Sequence, residues 1–111
     1  MSPIAKLIES LRERSDVGVI DEKESWLISI SKGRYFVCEV TVPREVLEWY
    51  ACVKDWREKK ETWSDWMDYS GYDDRTPEKL ESEMAQDILA FVDRVSGSEL
   101  RLPLQIYEER A

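Results

Sequence analysis

The sequence predicts an α+β domain: an antiparallel sheet of about five strands, with an N-terminal helix and a long C-terminal helix packed mainly on one face. Three observations lead there. Apolar residues recur at helical spacing near the start and again after residue 76. Between them the apolar period is two, as a strand requires. The breaks between periodic stretches carry glycine or dense charge, the composition of turns.

The first helix begins with Ser2 as cap and Pro3 at the first helical position, where its missing amide costs nothing. Ile4, Leu7, Ile8 and Leu11 fall on one face, and Arg12 and Arg14 sit near the negative C-terminal end. Asp16 to Gly18 interrupts the pattern. Val17–Ile20 is a short apolar run. Trp26, Ile28 and Ile30 then alternate with Leu27, Ser29 and Ser31. After Lys32-Gly33 the alternation resumes through Phe36, Cys38 and Val40, so a tight hairpin is expected, with Ile28 opposite Val37 and Ile30 opposite Tyr35. Val46–Val53 and Thr62–Tyr69 are rich in β-branched and aromatic residues, which lose rotamer freedom in helices. They read as a second hairpin across the charged run Asp55–Glu61. A helix opened by Pro43, with Val46, Trp49, Tyr50 and Val53 on one face, is the competing reading.

The final helix has Thr76 as cap, Pro77 as its first residue, and Leu80, Met84, Ile88, Phe91, Val92 and Val95 as a stripe ending at Gly97. Leu100, Leu102, Leu104 and Ile106 alternate beyond it, and Pro103 confines any strand there to an edge. Both faces of the first hairpin carry apolar side chains, more than two single-striped helices can cover. One face is therefore expected to be left for a partner or a second copy, unless the sheet curls around its own core.

The 111 residues form one domain, 1–111, with a formal charge of −8 and no histidine. That charge speaks against nucleic acid or an anionic membrane as partner, because phosphates are repelled, and favours a cationic protein. No basic stretch precedes an apolar core at the N-terminus, and no apolar run reaches membrane-spanning length, so a cytoplasmic protein is expected. Cys38 and Cys52 are too few and too far apart for a disulfide scaffold or a zinc site, and are expected to be reduced and packed as small apolar side chains.

Between Glu61 and Asp87 nine carboxylates stand against Arg75 and Lys79, a net of −7 that leaves the rest of the chain nearly neutral at −1. The same stretch holds aromatic residues. Trp63, Asp65, Trp66, Asp68, Tyr69, Tyr72, Asp73 and Asp74 are thus the candidate partner-binding residues: aromatic rings supply interface area, and carboxylates steer a cation. The competing reading is a solvated helix face with acids decorating its positive end. No metal or other cofactor is expected. Asp65, Asp68, Asp73 and Asp74 lack calcium-loop spacing, and in a strand Asp65 and Asp68 point to opposite faces. Without histidine, a Cys–His nucleophile is impossible; glycines form no phosphate-cradling loop, and no catalytic residue is proposed.

The runs Glu48-Trp49-Tyr50-Ala51-Cys52-Val53 and Trp63-Ser64-Asp65-Trp66-Met67-Asp68-Tyr69, followed by an acidic final helix, resemble small bacterial immunity proteins of polymorphic-toxin systems. The resemblance lies in size, acidity, α+β layout and Trp-rich strands. It implies a non-enzymatic inhibitor that neutralises a basic toxin or enzyme, such as a secreted toxin domain, by occluding it. The alternatives are a scaffold or homodimer using an apolar sheet face, and a carboxylate-based carbohydrate-active enzyme.

Overall fold

The computed structural model describes residues 2–32, 34–69 and 76–97. In chain order the elements are α1 (Pro3–Arg12), β1 (Gly18–Asp21), β2 (Ser25–Lys32), β3 (Phe36–Pro43), β4 (Glu48–Asp55), β5 (Lys60–Asp68) and α2 (Pro77–Gly97). The five strands form one open antiparallel sheet in the order β1-β2-β3-β4-β5, so every strand pairs with its sequence neighbour. The expected α+β layout is present. The strand expected over Leu100–Ile106 lies outside the described residues.

Both helices start as their sequences dictate. The Ala5 amide donates to Ser2 Oγ at 3.2 Å, and the Lys79 amide donates to Thr76 Oγ1 at 3.2 Å, each satisfying a donor that the first turn leaves orphaned. The stripes Ile4, Leu7, Ile8, Leu11 and Leu80, Met84, Ile88, Phe91, Val92, Val95 are buried. They meet one face of the sheet, formed by Ile28 and Ile30 of β2, Cys38, Val40 and Val42 of β3, and Trp49, Ala51 and Val53 of β4. Beneath α2, Phe91 lies 5.4 Å from the Trp49 ring centroid and 6.0 Å from Trp63, stacked on the latter at 12°. The two helices touch side by side, and Arg14 at the end of α1 pairs with Asp93 of α2 at 2.6 Å.

The register of the first hairpin differs from expectation. Ile28 faces Val40 and Ile30 faces Cys38, with Lys32 opposite Phe36 and three residues between rather than two. The shift of three is odd, so it exchanges the faces of β3. The reason lies in the core. This register aligns Trp26, Ile28 and Ile30 with Val42, Val40 and Cys38 on one covered face. The expected one would have put Cys38 and Val40 on the face opposite Ile28 and Ile30. Among the described residues the sheet does not curl round a core of its own; both helices lie on one side, and none of these residues covers the other face.

The strand reading of residues 46–69 is the one realised: β4 and β5 pair from Glu48–Asp68 to Asp55–Lys60. Thr62 is the extra residue of a bulge, with its hydroxyl donating to the Val53 carbonyl at 3.3 Å. The turn is built by Asp55, whose buried carboxylate accepts the Arg57 and Glu58 amides at 2.9 and 3.3 Å. Lys59 then takes a left-handed φ of 55° to bring the chain back.

Candidate functional site

The face of the sheet turned away from the two helices is the one that the described residues leave uncovered, and it is called the open face below. Because side chains alternate, the pairings place Ile20, Leu27, Thr41, Tyr50 and Trp66 in one transverse row crossing all five strands. Ile20 is 52% exposed and Trp66 56%, while Leu27, Thr41 and Tyr50 between them are half-buried. Beside this row runs Gly18, Ser29, Glu39, Cys52 and Ser64, and beyond it Ser31, Val37, Lys54 and Glu61. The face thus presents a low apolar ridge with an aromatic pair, Tyr50 and Trp66, directly opposite one another on β4 and β5.

Charge on this face is one-sided. Its described strand positions carry Glu39, Glu48, Glu61 and Asp68 against Lys54 alone. Glu39 holds Lys54 at 2.6 Å, and this contact raises the ammonium pKa. Tyr50 donates its hydroxyl to Glu61 at 2.8 Å, which fixes the ring, and burial raises the phenol pKa. Glu48 and Asp68 stand directly opposite each other, next to Tyr50 and Trp66 in their strands. Like charges directly opposite each other on neighbouring strands are unfavourable, and they concentrate negative charge at this end of the face.

The residues singled out in the sequence divide between the two sides of the sheet. Trp66 and Asp68 lie on the open face. Trp63 lies on the helix side, half-buried and stacked on Phe91. Asp65 also lies on that side, opposite Ala51, with Oδ1 accepting the Trp66 amide at 2.9 Å. Tyr69 is in the core at 5% exposure; its hydroxyl donates to Asp87 at 2.6 Å and accepts from Trp49 Nε1 at 3.1 Å. Tyr72, Asp73 and Asp74 lie outside the described residues. Of the five that are described, two share one surface, and Ile20, Leu27, Tyr50, Glu48 and Glu61, which sequence reasoning did not join to them, share it too. The signal for the additions was present only as strand register.

Among the described residues no group of three or more His, Cys, Asp and Glu side chains is arranged to hold a metal ion. The cysteines are free and buried on opposite faces of the sheet, Cys38 opposite Val53 beneath the helices and Cys52 opposite Glu39 on the open side. Burial first, and then Cys52, pushes the Cys38 thiol up to about 12; burial and then Glu61 push Cys52 up to about 11. Neither thiol is a ready nucleophile at neutral pH. No described helix is long and apolar enough to cross a membrane. Comparison with known protein families, characterised proteins and solved structures finds no match to this chain.

Proposed function

We propose that this protein is a non-enzymatic binding domain that docks a cationic protein on the open face of its sheet, acting as an immunity or inhibitor protein against a basic toxin or enzyme. The observation that carries the reading is the Tyr50–Trp66 pair on an apolar row, bordered by Glu48, Glu61 and Asp68. An exposed tryptophan on a rigid strand is a low-entropy anchor for an interface, and carboxylates beside it accelerate encounter with a basic surface. A sheet already ordered by two helices on its back spends little free energy on ordering when it binds. The immunity role, a bacterial source and a cytoplasmic location are proposed on the resemblance of the Trp-rich strands and acidic final helix, together with the chain's net charge of −8.

The test is surface plasmon resonance at two salt concentrations against the partner that co-purifies from the native host. Glu48→Gln with Glu61→Gln and Asp68→Asn is expected to slow association and flatten its salt dependence. Trp66→Ala is expected to speed dissociation, costing about 2 kcal/mol, while leaving the fold intact because the ring is exposed. Unchanged association in the triple variant would overturn the docking proposal. Salt-insensitive self-association lost in Trp66→Ala would replace it with a homodimer on the same face.

A further inference from the structure

The end of the sheet formed by the β2–β3 and β4–β5 connections has the opposite character to the open face. The Trp56 amide donates to the Tyr35 carbonyl at 2.8 Å, tying the two connections together. The guanidinium carbons of Arg34 and Arg57 lie 5.4 and 5.6 Å from the Tyr35 ring centroid. Trp56 is 60% exposed, the highest of the exposed large apolar side chains among the described residues. Beside it opens a depression of about 470 Å³ lined by Lys54, Asp55, Trp56, Lys59, Lys60 and Glu61.

Charge is reversed here as well. Arg34, Lys54, Arg57, Lys59 and Lys60 stand against Asp55, Glu58 and Glu61, a net of +2 in a chain whose total is −8. All three carboxylates are engaged, Glu61 by the Tyr50 hydroxyl at 2.8 Å, and Lys54 is held by Glu39 from the open face. Asp55 is buried and accepts the turn amides, and Glu58 pairs with Lys60 at 3.0 Å. A lysine also sits at the left-handed position of the turn, where glycine would be easier. The eight residues of β4 separate this tip from Glu48 by about 23 Å, more than two Debye lengths at physiological salt. A short anionic segment at the tip therefore escapes the field of Glu48 and Asp68, whereas Glu61 and Glu39 adjoin the tip and are held by Tyr50 and Lys54.

We infer that this tip is a second docking site, and that it takes a short acidic peptide segment carrying one apolar or aromatic side chain. The apolar side chain enters the depression against the Trp56 ring and the lysine stems, and flanking carboxylates meet Arg34, Arg57 and Lys59. The recess favours a discrete side chain over a flat lipid surface. An extended polyphosphate would reach beyond the tip to the acidic remainder of the chain and be repelled. The site takes Lys54 and Glu61 from the edge of the open face but neither Tyr50 nor Trp66, and its test, which alters Trp56, Arg34 and Arg57, stands whether or not that face binds a basic protein.

The experiment is calorimetric titration with a blocked pentapeptide in which a central phenylalanine is flanked on each side by aspartate and glutamate. Binding is expected to weaken at least tenfold when the peptide's phenylalanine becomes alanine. A similar loss is expected in Trp56→Ala and in Arg34→Gln with Arg57→Gln, with circular dichroism showing each variant folded. Equal binding of the two peptides, or binding untouched by Trp56→Ala, would overturn the inference. So would affinity for oligothymidylate or phosphatidylserine vesicles in the absence of affinity for the peptide.

Discussion

Tyr69→Phe removes one oxygen atom and leaves every carbon in place, so its effect isolates the hydrogen bonds at the junction of β5 and α2. The phenol donates to Asp87 on α2 and accepts from Trp49 Nε1 on β4. Trp49 is 2% exposed, so water does not replace the lost acceptor and the indole N–H is orphaned at about 1–3 kcal/mol. Asp87 lies at the surface and resolvates, and its lost bond adds about 1 kcal/mol. Together these destabilise the domain by about 2–4 kcal/mol, or roughly 10–25 °C in Tm for a chain of this size. Urea titration followed by far-UV circular dichroism measures it, with an unchanged m-value as the check that the unfolded state is the same. Asp87→Asn alone should lose less, and the double variant should lose less than the two singles added, because both act on one network. A loss below about 0.5 kcal/mol for Tyr69→Phe would mean that the indole N–H finds another acceptor, and would refute the reasoning.

Phe91→Ala should cost about 3–5 kcal/mol in the same titration, since its ring fills the space between Trp49 and Trp63; a loss near zero would mean that α2 does not press on the sheet there. The thiols make a pH prediction. Folding holds Cys38 and Cys52 neutral, with pKa values raised above the ordinary 9.0, so their contribution to stability is full below about pH 9 and is lost as pH rises through 11 to 12. The urea midpoint should therefore fall on the alkaline side, less steeply in Cys38→Val, and an identical slope in that variant would exclude the thiol as a cause. Iodoacetamide at pH 8 should label neither cysteine until the protein is unfolded; rapid labelling of Cys52 in the native protein would show its face to be more open than described.

Much of the fold was legible because local chemistry and global packing agree. Ser2-Pro3 and Thr76-Pro77 announce helices, and the stripes behind them are the ones buried. The pattern of β4 and β5 was readable because Trp49, Val53, Trp63 and Met67 suit strands and are separated by a charged turn. The register of β2 on β3 was not, because one more residue in the connection leaves the apolar count unchanged and only the covered face decides between the alternatives. The site suffered from the same blindness. Trp63, Asp65, Trp66 and Tyr69 are close in sequence, but a strand sends them to different sides. The neighbours of Trp66 are Tyr50, Thr41 and Leu27, which lie on other strands. Of the five described residues that lie close along the chain, two are on the open face, whereas strand register gathers the whole row.

The order of the sheet bears on how the chain assembles. Every strand pairs with the one next to it, so the sheet grows by closing short turns at little entropic cost. The bonds between the ends of the chain are of another kind: Ile4 to Glu81 and Arg14 to Asp93 join residues 77 and 79 positions apart. A nascent sheet therefore has its hairpins before it has its roof. Until α2 arrives, α1 is the one helix present to cover the surface bearing Ile28, Val40 and Val53, and the rest of it stands bare to water and to other chains. Five carboxylates, Glu78, Glu81, Glu83, Asp87 and Asp93, are synthesised with the helix that ends this exposure, and they add mutual repulsion between chains at the stage when sticking together is the chief hazard.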